Sequence, residues 1–146
     1  MTGRFDIVTT PIDGLVRIDR RRMGDERGWL ERMFCAEELA AAGWSGGIAQ
    51  INHTLTTRRG TVRGMHFQRA PHAEKKLVSC LVGEVLDVAV DIRIGSPAYG
   101  QHVAVKLSGE NKRQLWVPRG FAHGFAVLSK TAIFSYNCDN YYNPKA

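Results

Sequence analysis

One histidine in the chain stands among cationic and amide side chains, an arrangement suited to proton transfer. His66 belongs to the segment Arg63-Gly64-Met65-His66-Phe67-Gln68, with Lys76 following and Gln50 and Asn52 preceding it. An imidazole has an ordinary pKa of about 6.5 and accepts a proton at neutral pH without extreme tuning. His66 is therefore a candidate base for removing a carbon-bound proton beside a carbonyl, and a satisfied core or surface histidine is the alternative.

The directions of the side chains around His66 depend on the backbone at Gly64. In a regular strand His66 and Gln68 lie on one face, and Arg63 lies on the other. Glycine tolerates a bulge or a kink that would change this alternation. If Arg63 and His66 serve one pocket, we expect an irregularity at Gly64.

A second candidate for proton transfer is a tyrosine near the end of the chain. Phe134 and Tyr136 alternate in a strand-like segment. A phenol with a pKa of about 10 is normally protonated, so it can donate a proton to a carbanion or an enolate. Packing of both aromatic side chains in the core explains the same alternation.

A further motif lies in residues 115–125. Pro118, Gly120 and His123 follow the spacing Pro-x-Gly-x-x-His, which resembles the second sequence motif of cupins, small double-stranded β-helical barrels. The first cupin motif usually supplies a His-x-His pair and an acid to a metal, whereas here the pair reads His66-Phe67-Gln68. Because transition-metal sites generally need several nitrogen, oxygen or sulfur donors, we expect a site without metal.

The elements that must position these residues are mostly strands. Segments rich in Val, Ile, Phe and Thr alternate with Gly, Pro, Ser and Asn clusters, which is typical of an all-β sandwich or barrel. Good helix formers over Ala36–Ala42, followed by Gly43, predict one short peripheral helix.

The clearest strand signal covers residues 77–82 and 85–93, with a turn near Gly83. In the second strand one face is apolar, whereas the other carries Asp87, Asp91 and Arg93. The charged face lines a ligand cavity or is solvated on the outside, and the segment alone does not decide between them.

Composition restricts the class of protein. A chain of 146 residues with 44% hydrophobic and 23% charged residues is typical of one soluble globular domain. No run reaches the roughly 18 apolar residues of a membrane helix, and the first residues lack the apolar region of a signal peptide. We therefore expect a cytoplasmic protein. Cys35, Cys80 and Cys138 have no CxxC spacing and are interpreted as free packing thiols.

The net charge of +6 does not select a partner by itself. The densest basic run, Arg20-Arg21-Arg22, lies close to Asp19, Asp25 and Glu26. These acids argue against a continuous stripe for a polyanion, so we expect neither nucleic acid nor a membrane as partner.

Taken together, four segments resemble the dTDP-4-dehydrorhamnose 3,5-epimerases in order and spacing. The segments are residues 24–28, 63–68, 83–93 and 110–125, within an agreement from about Gly24 to Pro144. The resemblance implies a cupin-like double-stranded β-helix, or jelly-roll barrel. It also implies a cofactor-independent homodimeric epimerase that acts on dTDP-4-keto-6-deoxyglucose in the biosynthesis of dTDP-L-rhamnose or a related deoxysugar.

The resemblance also implies roles for individual residues. It assigns His66 as the base, Tyr136 as the proton donor and Lys76 as the cation that stabilises an enolate. The implied substrate-binding residues are Arg27, Glu31, Gln50, Asn52, Arg63 and His123. Since C3 and C5 of the sugar are both α to the C4 ketone, inversion at either carbon or at both proceeds through an enolate. Whether a neighbouring subunit supplies Arg27 or Glu31 is left open.

One departure from the family pattern concerns the end of the chain. In the family a C-terminal tail supplies an aspartate that orients the catalytic histidine, whereas this sequence stops at Ala146. We expect residues 1–146 to form a single domain without that tail. Three explanations remain: the sequence is truncated, Asp87 orients His66, or the protein is an inactive or altered relative.

Three other functions compete with an epimerase. A nucleotide-sugar ketoisomerase would use similar enolate chemistry, and a non-catalytic nucleotide-sugar-binding module would bind the substrate without exchanging its protons. A metal-dependent cupin oxygenase requires a stoichiometric metal in the purified protein.

Overall fold

The strands of this chain form two antiparallel sheets and a separate hairpin. The computed structural model describes residues 3–146. Within them the strands are β1 (Phe5–Thr9), β2 (Val16–Arg20), β3 (Arg22–Asp25), β4 (Gly28–Glu31), β5 (Gln50–Thr56), β6 (Val62–His66), β7 (Lys76–Val82), β8 (Glu84–Asp91), β9 (His102–Ser108), β10 (Arg113–Val117), β11 (Phe121–Val127) and β12 (Ala132–Cys138).

The two sheets enclose the main apolar core. The six-stranded sheet has the order β1-β2-β10-β7-β12-β5, and the four-stranded sheet has the order β6-β11-β8-β9. Val78 and Phe134 of the first sheet share one buried cluster with Val85 and Phe125 of the second. Burial of this apolar surface is the main driving force for the fold and holds the sheets face to face.

Strand β8 shows which face of the predicted alternation points inward. Its residues alternate between partly exposed and buried positions, and the buried set contains Val85, Asp87, Ala89 and Asp91. The charged face is therefore the interior one. The Asp91 carboxylate accepts hydrogen bonds there from Arg93 and Ser96. The side-chain hydrogen bond from Arg93 is the main reason that the pKa of Asp91 falls to about 2.

The predicted helix is present and short. An α-helix (α1) covers Ala36–Leu39, and a 3-10 turn continues over Ala40–Ala42. Gly43 ends it with a φ of 108°, and its N–H donates to the Ala40 carbonyl. A side chain with a Cβ would be strained at this left-handed position, which explains the stop. Among the described residues no helix is long and apolar enough to cross a membrane.

The hairpin of β3 and β4 pairs with itself and is attached to the body by ion pairs. Glu31 accepts from the guanidinium groups of both Arg20 and Arg22, and its side chain is only 4% exposed. Arg22 also donates to the Gly109 carbonyl at 2.9 Å. A largely buried carboxylate held by two arginines fixes the base of the hairpin.

Candidate active site

A pocket of about 630 Å³ opens between the two sheets. It is lined by Thr54, Val62, Arg63, Gly64, His66, Phe67, Gln68, Glu74, Lys76, His123, Phe125, Phe134, Tyr136, Tyr142, Asn143, Pro144 and Ala146. Another depression, of about 530 Å³, lies at residues 93–98, and its lining includes Asp13 and Arg93. The pocket between the sheets brings together bases, an acid and cations, so we assign the chemistry to it.

The backbone at Gly64 has the irregularity that the sequence requires. Gly64 has a φ of +118°, and the pairing of β6 with β11 shifts register between His123 and Phe125. As a result Arg63 and His66 both line the pocket, although they would alternate in a regular strand. Gly64 also packs closely, because a Cβ there would lie 2.7 Å from the Gly124 Cα.

His66 is held in a state that favours a neutral imidazole. Burial lowers its pKa below the ordinary value of 6.5, and the positive fields of Lys76 and His123 lower it further. His66 stands directly across the ladder from His123, with ring centroids 6.3 Å apart. A neutral imidazole at physiological pH has a free nitrogen lone pair and can accept a proton.

Asp87, the candidate for orienting His66, bonds a different histidine. Its Oδ1 is hydrogen-bonded to Nε2 of His123 at 2.7 Å, and the two side chains are 0% and 4% exposed. The physical reason is strand order: β8 lies next to β11, whereas β6 lies on the other side of β11. Burial raises the pKa of the Asp87 carboxyl, and His123 opposes that rise.

Lys76 and Tyr136 enter the pocket from the six-stranded sheet. Lys76 begins β7 and is 8% exposed, and its Nζ lies 5.9 Å from the centroid of the Tyr136 ring. Burial and the neighbouring Cys138 and Glu74 raise the pKa of Tyr136, and Arg63 opposes them. The phenol therefore keeps its proton well above neutral pH and can act as an acid.

Arg63 provides a second fixed cation. Its Nε donates to Oγ1 of Thr56 at 3.0 Å, and its side chain reaches the Leu55 carbonyl at 3.5 Å. The guanidinium group is always charged and is oriented by β5, so it suits an anionic ligand at the pocket.

Two glutamines anchor the end of the chain against the pocket. Oε1 of Gln50 accepts the Tyr142 N–H at 2.7 Å, and Oε1 of Gln68 accepts the Asn143 N–H at 2.8 Å. Asn52 lies opposite Tyr136 in the ladder between β5 and β12. Gln50 and Asn52 are not lining residues themselves, but Gln50 bonds Tyr142 and Asn52 faces Tyr136, and both of these partners line the pocket.

Arg27 and Glu31 lie apart from the pocket lining of this chain. Arg27 is exposed at the tip of the hairpin and pairs with Asp25 at 2.8 Å. Glu31 is engaged by Arg20 and Arg22 at the base of the hairpin. The structure of this chain therefore does not bring these two side chains to His66.

Several lining residues have no counterpart among the sequence candidates. Glu74 contacts Lys76 from inside the pocket, and Thr54, Tyr142 and Asn143 complete the wall. Glu74 stands two positions before Lys76 in the sequence, so an acid at that spacing was the available signal. Among the described residues, His, Cys, Asp and Glu side chains form no group of three that could hold a metal ion.

These observations define a class of protein: a β-barrel enzyme whose two sheets bring a histidine and a tyrosine into one pocket that also contains cationic side chains. His66 comes from the four-stranded sheet, whereas Tyr136 and Lys76 come from the six-stranded sheet. Such an arrangement can remove a proton from one side of a carbon and return one from the other.

Comparison with known proteins agrees with this class. The sequence model of the dTDP-4-dehydrorhamnose 3,5-epimerase family matches residues 9–146. The dTDP-4-dehydrorhamnose 3,5-epimerase of Shigella flexneri is 47% identical over 140 residues, which are 95% of this chain and 77% of the relative.

Solved structures give the same answer. The RmlC epimerase from Legionella pneumophila Philadelphia 1, in complex with dTDP-4-keto-L-rhamnose, has a TM-score of 0.92 and 48% identity, covering 97% of this chain and 75% of that chain. ChmJ, a 3'-monoepimerase from Streptomyces bikiniensis in complex with dTDP-quinovose, has a TM-score of 0.87 and 30% identity, covering 94% of this chain and 70% of that chain.

The chain therefore belongs to the dTDP-4-dehydrorhamnose 3,5-epimerase family, a family of isomerases. The expected all-β, cupin-type jelly-roll fold is confirmed.

Proposed function

We propose that this protein is a cofactor-independent epimerase that inverts C3, C5 or both carbons of dTDP-4-keto-6-deoxyglucose, in the biosynthesis of dTDP-L-rhamnose or a related deoxysugar. The observation that carries the proposal is the entry of His66 and Tyr136 into one pocket from opposite sheets, with Lys76 beside Tyr136. Family membership gives the substrate class.

In the proposed reaction His66 is the base. The carbons C3 and C5 are each bonded to hydrogen and lie α to the C4 ketone. The neutral imidazole takes the hydrogen of one of these carbons as a proton, and the electrons of that C–H bond move to the carbonyl oxygen to give an enolate. The lowered pKa of His66 supports this role, because the imidazole is available as a base at neutral pH.

Lys76 stabilises the enolate in this account. Its ammonium is a compact charge on the wall of a partly enclosed pocket, where electrostatic interactions are stronger than in bulk water. An oxyanion gains more from this charge than the neutral ketone does, so the interaction lowers the barrier.

Tyr136 then protonates the carbon from the opposite side. Its raised pKa keeps the phenol protonated until the enolate forms. Because β12 and β6 belong to different sheets, a sugar held between them meets the base on one face and the acid on the other. Delivery of the proton to the second face inverts the carbon.

The pyrophosphate and nucleotide are assigned to the remaining side chains. Arg63 suits the anion because its planar fork matches phosphate oxygens. We assign substrate contacts also to Gln50, Asn52 and His123, which border or line the pocket. The dTDP-linked sugar of the Legionella structure supports a nucleotide-sugar ligand of this class.

We propose a homodimer in which the β3–β4 hairpin packs against the partner subunit. Three large apolar side chains on this hairpin, Met23, Trp29 and Leu30, are 53%, 60% and 61% exposed. An exposed apolar group of this size supports an interface. In this proposal the hairpin carries Arg27 at its exposed tip toward the partner's site, whereas Glu31 stays engaged by Arg20 and Arg22 of its own chain. Light scattering after size-exclusion chromatography should give twice the mass of one chain, and a monomer would contradict the dimer.

Residues 1–146 act as one epimerase domain in this proposal, in the cytoplasm. The three cysteines are free thiols, of which Cys80 and Cys138 are buried, and this supports a reducing compartment.

The test is identification of the product made from dTDP-4-keto-6-deoxyglucose by proton and carbon NMR. We expect altered ring couplings at C3, C5 or both with the carbonyl still at C4. His66→Ala and Tyr136→Phe should each lower the rate by about a hundredfold or more, as expected for loss of a general base or acid.

Each other outcome has a distinct reading. A carbonyl that moves from C4 to C3 would indicate a ketoisomerase. Binding of the substrate without any product would indicate a nucleotide-sugar-binding module. Inversion at C3 alone would assign the protein to the type of ChmJ, the 3'-monoepimerase.

A further inference from the structure

Glu74 is an acidic side chain inside the pocket to which none of the roles above is assigned. It immediately precedes the Lys75–Lys76 pair, and its Oε1 lies 3.4 Å from the Lys76 Nζ. The side chains of Glu74 and Lys76 are only 11% and 10% exposed. Both line the same pocket as His66 and Tyr136, so the ion pair lies within the reaction chamber.

The lysine in this pair needs a partner to be useful. Lysine has a flexible stem with several rotatable bonds, and its ammonium carries three donors that point in different directions. A charge with little exposure is costly unless it is paired. A cation also contributes most to catalysis when it is already in place before the charge on the substrate develops.

We propose that Glu74 is a positioning residue for epimerisation, and that its carboxylate fixes the Lys76 ammonium where the enolate oxygen forms. This inference rests on the proposed function of the pocket. The Lys76 ammonium has three N–H donors, and a single ion pair at 3.4 Å leaves donors for the substrate.

The surroundings of Tyr136 support the placement of Glu74. Burial is the largest cause of the raised pKa of the phenol, and the negative charge of Glu74 adds to it. Glu74 therefore lies within electrostatic reach of the acid as well as of Lys76. Its charge helps to keep the Tyr136 proton available while it holds the neighbouring ammonium.

The experiment compares Glu74→Ala, Glu74→Gln and the exposed control Glu37→Ala with the wild-type chain. Glu74→Ala should lower kcat by about ten- to a hundredfold, because a small misplacement of a catalytic group has an effect of this size. Its KM should stay within about threefold, since the lost interaction acts mainly in the transition state. Glu74→Gln keeps an oxygen near Nζ but loses the negative charge of the ion pair, so it should recover only part of kcat.

A second readout separates Lys76 from Tyr136. In deuterated water, Glu74→Ala should slow deuterium entry into the sugar and product formation in parallel, because both require the enolate. Preserved deuterium entry with loss of inversion would overturn the proposal, since it would assign Glu74 to the protonation step. A wild-type kcat in Glu74→Ala, a change in KM alone, or equal losses in Glu74→Ala and Glu74→Gln would also overturn it.

Two controls keep the result interpretable. Calorimetric binding of dTDP and a thermal unfolding curve verify that each variant is folded with an intact pocket. An inactive wild-type chain would refute the proposed function itself, whereas an active wild type with a fully active Glu74→Ala would refute only the role of Glu74.

Discussion

At the scale of single residues, the pocket contains several groups whose charges depend on one another. Burial is the largest cause of the lowered pKa of His66, and Lys76 and His123 lower it further. Burial, Cys138 and Glu74 raise the pKa of Tyr136. The pKa values of His66 and Tyr136 are thus shifted apart, which suits the proposed reaction, in which one group removes a proton and the other supplies one.

The first prediction concerns the acid limb of the pH profile. Because only neutral His66 accepts a proton, kcat/KM should fall as the imidazole is protonated, and that fall should occur below pH 6.5. NMR titration of the His66 ring should give a pKa below 6.5 in the free protein.

Substitution of Lys76 tests the electrostatic cause of the lowered pKa of His66. Lys76→Met removes a positive charge, so the pKa of His66 should rise in the same NMR titration. Lys75→Met is the matched control, because Lys75 bonds Ser45 and does not line the pocket. An unchanged His66 pKa in Lys76→Met would contradict the electrostatic account.

The second prediction concerns the buried pair of Asp87 and His123. Burial raises the pKa of Asp87 above 3.8, so the folded chain retains a proton that the unfolded chain has lost. This contribution to stability therefore declines as the pH rises from 3.8 through the folded pKa. Asp87→Asn removes the titration, and the stability of wild type relative to this variant should fall with pH in that window.

Asp6→Asn provides a control of opposite sign. The side-chain hydrogen bond from Arg21 lowers the pKa of Asp6, so its contribution is lost as the pH falls. Urea unfolding above pH 3.8 measures the difference for Asp87, and unfolding below pH 3.8 measures the difference for Asp6. The same slope for the two variants would contradict the assignment of Asp87.

At the scale of strands, residue patterns predicted the elements better than their orientation. The alternation in β8 was readable from the sequence, but the inward direction of its charged face was not. Hydropathy alone predicts that the apolar face of β8 is buried in the protein interior. The structure instead buries Asp87 because His123, which is distant in sequence, stands beside it on β11. A partner of this kind becomes visible only when the strand order is known.

The motif around His66 also shows that tertiary contacts are hard to predict from the sequence. The glycine could be identified as the place for an irregularity, because Arg63 and His66 needed one to share a pocket. The extent of the register shift against β11 depends on tertiary packing. An orienting role of Asp87 toward His66 was one of three explanations for the absent tail, but the hydrogen bond of Asp87 is to His123.

The third prediction tests the packing at Gly64. An alanine there would have a φ of +118° and would bring its Cβ to 2.7 Å from the Gly124 Cα and 2.8 Å from the His123 carbonyl oxygen. Gly60→Ala is a matched control, since Gly60 has a φ of +86° and nothing lies within 4 Å of its Cβ position.

The two glycine variants separate backbone strain from a clash. Gly60→Ala should lower the free energy of unfolding by about 1–2 kcal/mol, the cost of a left-handed alanine. Gly64→Ala should lower it further and abolish turnover, because β6 must move away from β11 and carry His66 with it. Urea denaturation and product assays measure both effects. Equal destabilisation would show that the close packing at Gly64 contributes nothing.

At the scale of the whole molecule, the two sheets form the walls of one pocket. The four-stranded sheet supplies His66, Arg63 and His123, and the six-stranded sheet supplies Lys76 and Tyr136. The shared apolar core holds these walls at a fixed separation. The all-β class could be predicted from the alternation of strand-like and turn segments, and five lining residues of the pocket were candidates from the sequence: Arg63, His66, Lys76, His123 and Tyr136. The position of the β3–β4 hairpin could not be predicted, because it depends on contacts beyond the motifs.

The most direct test of the central claim is proton exchange with the solvent. The chain is mixed with dTDP-4-keto-6-deoxyglucose in deuterated water, and NMR follows each ring position with wild type and with His66→Ala. We expect deuterium at C3, C5 or both in the wild-type reaction and its loss in the variant. A wild-type chain that binds the substrate but leaves both carbons fully protonated would contradict the enolate mechanism.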